Sequence, residues 1–278
     1  MLLILFLCYL SFILEQYKMK QIKLLLINFG LLVMITTTTT ALAHFGMVIP
    51  SDSMVSQDDS RKISIKLSFS HPFERVGMDL VKPDAWQVIH AAKKIDLLKK
   101  LQPIRVLEHQ AWQTEYPIKR PGIYQFYMKP KPYWEPAEDC FIIHHTKTVV
   151  AAFGEDEGWD EEIGIETEIV PLSKPFGLYA GNIFQGIVKL NGKVVPFAEV
   201  EVEYYNENKT IKAPSEIMIT QTIKADSNGV FSYATPVSGW WGFAALNSAN
   251  YTLPLNGDQK SVELGAVLWV EFHPFASR

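Results

Sequence analysis

Apolar and polar residues alternate along most of this chain, and a period of two confines it to strands with one buried face. Ile63-Ser64-Ile65-Lys66-Leu67-Ser68-Phe69 shows the pattern plainly, and Ile123 to Met128 repeats it after the turn Arg120-Pro121-Gly122. Trp86–Ala91, Ile104–Leu107, Phe141–Val150, Ile183–Leu190, Val230–Tyr233, Trp240–Phe243 and Ser261–Phe272 read as further strands. Asn191-Gly192 is a strong hairpin signal, and Asp226-Ser227-Asn228-Gly229 is another turn. In Ala198 to Tyr204 the alternation places Glu199, Glu201 and Glu203 outward. Lys93 to Leu101 fits either a helical turn or a hairpin. Short strands at this spacing predict an all-β protein of two β-sandwich domains, 44–171 and 178–273, with a linker near Pro171–Gly177.

Residues 1–43 have a different character. Leu2–Leu14 and Leu24–Ile35 are apolar, yet neither reaches the ~18–20 residues that a membrane-spanning helix needs. Met19-Lys20-Gln21-Ile22-Lys23, the second apolar run, a threonine tract and Ala41-Leu42-Ala43 have the layout of a signal peptide cut after Ala43. Met19 then reads as the translational start and residues 1–18 as an upstream extension; an uncut membrane anchor is the alternative. Either reading exports the remainder, and cleavage makes it periplasmic.

Cleavage would make His44 the first residue, offering an α-amine and an imidazole to one metal ion. All seven histidines follow this point: His44, His71, His90, His109, His144, His145 and His273. His71 ends a strand in Ser-His-Pro-Phe-Glu, with Glu74 three residues on as a candidate carboxylate or partner of a metal-bound histidine. His144 and His145 are neighbours in one strand, so they face opposite sides. His145 continues the more apolar side and reads as a core histidine, which leaves His144 as the candidate ligand. Two purely structural histidines fit the pattern as well, because no closed zinc spacing such as Cys-x-x-Cys is present.

The chain carries 26 Lys and Arg against 30 Asp and Glu. Loss of residues 1–43 removes three lysines and one glutamate, and the more acidic remainder argues against nucleic acid as a partner. Cys8 leaves with the leader, so Cys140 is unpaired: either buried and inert, or a soft metal ligand. Glu155 to Glu162 is a solvated acidic loop or a weak cation funnel. No Gly-x-Ser-x-Gly elbow, phosphate-binding loop or His-Glu-x-x-His occurs, which points away from an enzyme.

His44-Phe45-Gly46-Met47-Val48-Ile49-Pro50, Ser70-His71-Pro72-Phe73-Glu74 and Tyr133-Trp134-Glu135-Pro136 through Cys140-Phe141-Ile142-Ile143-His144-His145-Thr146-Lys147 occur together. In these segments the chain resembles the NikM-like nickel-uptake accessory proteins. Gly186–Val202 and Asp226–Phe243 are similar to the transthyretin-like, carboxypeptidase-regulatory sandwich module. The resemblance implies an immunoglobulin/transthyretin-like fold and a metal-binding accessory protein that serves an inner-membrane importer of nickel or cobalt. His44, His71 and His144 are its candidate ligands, with copper or zinc as alternative ions. A copper carrier built on the His44 chelate is a second expectation. A metal-free adhesive or carbohydrate-binding module using Trp134, Trp240 and Trp241 is a third.

Overall fold

The computed structural model describes residues 15–21 and 43–275. Residues 15–21 are helical, and the chain from Leu42 onward forms a compact unit of its own, described below. Among the described residues no helix is long and apolar enough to cross a membrane. The two apolar runs of the expected leader lie outside them.

The unit is all-β, with two three-residue 3-10 helices at Leu98–Lys100 and Glu216–Met218. Its longest sheet has twelve strands. Its path runs Gln221–Lys224, Glu199–Tyr204, Gly239–Ser248, Asp258–His273, Cys140–Ala152, Gly122–Lys129, Ala85–His90 and Lys93–Asp96. A five-stranded sheet orders Phe45–Pro50, Lys62–His71, His109–Pro117 and Gln102–Val106, with Val76–Met78 paired to Lys62–His71. A four-stranded sheet holds Thr167–Pro171, Ile183–Leu190, Lys193–Val194 and Val230–Ala234.

The two smaller sheets pack on opposite faces of the long one, which gives the sandwich architecture. Ile63, Ile65, Leu67 and Phe69 meet Trp86, Val88, Phe126, Met128, Ile142 and Val150 in one core. Ile169, Phe184, Val188 and Phe231 meet Val200, Val202, Phe243, Leu268 and Val270 in the other, joined by Ile123, Val149 and Ala151. Strand Cys140–Ala152 serves both cores through alternate residues, so it is buried on both faces. It pairs in parallel with Asp258–His273, from Cys140↔Ser261 to Thr148↔Trp269. The expected linker falls between Thr167–Pro171 and Leu178–Tyr179, and strands from both sides of it share the twelve-stranded sheet.

Three local expectations resolve here. Lys93–Leu101 supplies both alternatives, a hairpin return at Lys93–Asp96 followed by a helical turn. Ser261–Phe272 is one long strand, Asp258–His273. Glu203 does not point to water. It is fully buried, accepting from the Thr220 hydroxyl and the Phe73 amide, because residues 73 and 220 cover its side of the sheet.

Candidate metal centre

The strand Phe45–Pro50 positions this site. Phe45 and Met47 pack against Ala244, Val267 and Trp269 on the long sheet, and the Trp269 indole donates to the Gly46 carbonyl at 2.8 Å. The same strand pairs with Lys62–His71 in the register Phe45↔Ser70. Continuing that register by one residue sets His44 beside His71, and their ring centroids are 4.5 Å apart. His144 enters from the middle strand, where its Nδ1 accepts from the Gly46 amide at 3.3 Å.

Three histidines separated in sequence therefore meet around one end of the first strand. The Phe69 ring is a wall shared by two of them, stacked 5.7 Å from His44 and edge-on 5.9 Å from His144. A hollow lined by Gly46, Phe69, Leu80, Tyr133, Trp134 and His144 opens beside it. Space for the His144 ring exists because residue 265 is glycine: a Cβ there would overlap the imidazole, and one on Gly46 would overlap the Thr146 hydroxyl.

Hydrogen-bond partners assign the tautomers. His44 Nε2 lies 2.9 Å from a Glu135 carboxylate oxygen, so Nε2 carries the proton and Nδ1 keeps its lone pair. His71 Nδ1 lies 2.7 Å from the Ala43 carbonyl, which can only accept, so that nitrogen is the donor. His144 Nδ1 accepts from Gly46, leaving its protonated Nε2 3.5 Å from Glu263. The pKa of His44 is lowered to about 4, first by burial and then by the neighbouring imidazoles of His71 and His144, against the opposing pull of Glu135. At neutral pH it is an uncharged imidazole, the form that binds metals. Among the described residues no three His, Cys, Asp or Glu side chains already stand grouped to hold one ion.

Glu135 and Glu263 are the carboxylates at the histidines, and neither stands out from sequence. Glu135 could have been found from its place in Tyr133-Trp134-Glu135-Pro136, whereas Glu263 sits in an ordinary alternating strand. Glu74 makes no hydrogen bond to a histidine. Partial burial raises its pKa, His71 pulls it down and Glu216 pushes it up, and one of its buried oxygens has no partner. Further carboxylates lie close by. Glu201 is pushed up to about 7 by burial first and then by Glu263, Glu138 and Glu199.

The other candidates stand apart from these three histidines. His145 is buried on the opposite face, with Nδ1 2.8 Å from the Tyr127 hydroxyl and Nε2 3.4 Å from Glu166. His90 stacks on Tyr124, and His109 faces Asp79. Cys140 is buried, and its thiol is pushed up to about 11 by burial and by the surrounding carboxylates, so it stays protonated. Trp241 is buried and donates to the Val237 carbonyl. Trp240 packs against the cluster around Trp269, and Trp134 lies against Phe141.

Comparison with known proteins places the chain by family. No curated protein matches it. Among solved structures, the D0–D1 domain of intimin is 12% identical, with a TM-score of 0.23, covering 83% of this chain and all of that one. A putative carbohydrate binding protein from Bacteroides uniformis is 8% identical at TM-score 0.25, covering 81% of this chain and 98% of that one. The activated alpha-2-macroglobulin from Escherichia coli is 7% identical at TM-score 0.24, covering 82% of this chain and 16% of that one. Likenesses this weak carry no functional argument. A family model described as a domain of unknown function, DUF4198, matches residues 41–249, and the chain belongs to that family.

Proposed function

We propose that the protein is a periplasmic carrier that binds Ni²⁺ or Co²⁺ and passes it to an inner-membrane importer. The observation that carries this reading is the meeting of His44, His71 and His144, with Glu135 and Glu263 against two of their ring nitrogens. A carboxylate on one ring nitrogen is the usual support of an imidazole ligand, since it fixes the ring and raises its basicity, and His144 would join the ion through Nδ1 by giving up its 3.3 Å bond from the Gly46 amide. With Glu135 on Nε2, His44 keeps the lone pair of Nδ1 for a ligand. That atom closes a six-membered chelate ring with the residue's own α-amine once the Ala43–His44 bond is cut. Nitrogen donors suit nickel, cobalt, copper and zinc, and the likeness to nickel-uptake accessory proteins favours the first two. The nearby carboxylates Glu138, Glu201 and Glu263 add a negative field that draws cations in.

Calorimetric titration of the cleaved protein with Ni²⁺ and Co²⁺ tests this. His71→Ala and His144→Ala are each expected to weaken binding by at least about tenfold, in the range seen when metal-site groups are lost. Undiminished binding by both variants would overturn the site.

A further inference from the structure

The contact between His71 and Ala43 points to a control of this same site, and the inference rests on the carrier reading above. In the uncut chain the Ala43 carbonyl holds the proton-bearing Nδ1 of His71 at 2.7 Å, away from solvent. The oxygen and nitrogen of one peptide unit are about 2.2 Å apart, so His71 Nδ1 lies within about 5 Å of the His44 nitrogen. Two nitrogen ligands at about 2.0–2.1 Å from one ion stand up to about 4 Å apart. A small movement therefore brings the pair to ligand spacing. What stands in the way is the carbonyl oxygen.

We propose that the Ala43–His44 peptide bond is a lock on the metal site, and that its cleavage creates the site. A signal-peptidase-class protease adds water across the bond. The C–N bond breaks, the hydroxyl goes to the Ala43 carbonyl carbon, and the proton goes to the nitrogen, which becomes the α-amine of His44. The Ala43 carboxylate departs with the leader, His71 Nδ1 loses the acceptor that held its proton, and that proton passes through solvent to Nε2, which frees the Nδ1 lone pair. The new amine, His44 Nδ1 and His71 Nδ1 then face one position, with His144 and the carboxylates around it. An amide nitrogen has no lone pair to give, so the uncut chain lacks one of these three donors and has a second tied up. The consequence is that a precursor acquires no metal before export.

The test compares a protein beginning at His44 with one carrying Gly-Ser before Ala43; both contain every strand from Phe45–Pro50 to Asp258–His273. Ni²⁺ is titrated into each, with and without His71→Ala. His71→Asn serves as a second variant, because its amide still donates to the Ala43 carbonyl. The cleaved form is expected to bind at least 100-fold more tightly, and His71→Ala to cost it at least tenfold while costing the extended form less than twofold. Without metal, ¹⁵N spectra of the extended form should show His71 protonated at Nδ1, an assignment lost in the cleaved form. Tight binding by both forms with the same dependence on His71 would overturn the lock and leave the carrier reading standing. No binding of Ni²⁺, Co²⁺ or Cu²⁺ by either form would overturn both.

Discussion

Glu203 shows how far one residue departs from the pattern around it. Its side chain is sealed from water, and burial first of all pushes its pKa up to about 8, with Glu74 and Glu201 adding to the rise and its two hydrogen bonds opposing it. An acid whose folded pKa is raised favours the folded state fully below its unfolded value near 4.5. That contribution is lost as pH climbs from there toward 8. At its full extent the loss is roughly 3–5 kcal/mol. Glu203→Gln keeps an acceptor for Phe73 and a partner for Thr220 but does not titrate. Urea unfolding at pH 5 and pH 8 should therefore show a smaller fall in stability for the variant than for the parent. Equal falls would mean that the carboxyl ionises freely in the fold. His44 titrates in the opposite sense: neutral when folded, it costs stability only as pH drops from about 6.5 toward 4.

At the scale of elements, the metal centre depends on where strands are thin. The middle strand Cys140–Ala152 pairs with Asp258–His273 so that His144 sits beside Gly265. A side chain at 265 would occupy the volume of the His144 ring. Gly265→Ala should thus push the imidazole off its position between Gly46 and Glu263, at a stability cost of about 1–3 kcal/mol, typical of overpacking. Its Ni²⁺ affinity should fall at least about tenfold with the far-ultraviolet circular dichroism unchanged. If affinity holds, His144 is a wall of the site and not a ligand. The glycines that make room for this ring and for the Thr146 hydroxyl beside it were not legible as such. In the sequence Gly46 and Gly265 are isolated glycines inside strands, and what each one faces is set by a strand from elsewhere in the chain.

Across the whole molecule, the middle strand is the seam between the two halves. Its Lys147 is buried and paired at 2.6 Å with Glu168 of the four-stranded sheet, which also accepts from the Ile163 and Gly164 amides. Burial lowers the Lys147 pKa and Glu168 opposes that shift. Removing one member of such a pair strands the other charge in the interior. Lys147→Met should therefore lower stability by about 3–5 kcal/mol, measured by urea unfolding. A loss below about 1 kcal/mol would show that water already reaches the pair.

What the sequence by itself determined is local: the strands, their buried faces, most turns and the sandwich class, because period-two alternation and turn chemistry act between near neighbours. His44, His71 and His144 could be picked out by their places at a strand's start, end and interior. Their meeting could not, nor could the carboxylates that serve them. The parallel pairing of residues 140–148 with 261–269 joins segments more than a hundred residues apart, and it places Glu263 near His144. Glu135 sits on a local hairpin, the pairing of Tyr133–Glu135 with Cys140–Ile142, and only the 2.9 Å approach of its carboxylate to His44, 91 residues earlier, is long-range. Such contacts depend on which sheet faces which. Only the tertiary structure decides that, by burying the two cores on opposite sides of one shared strand.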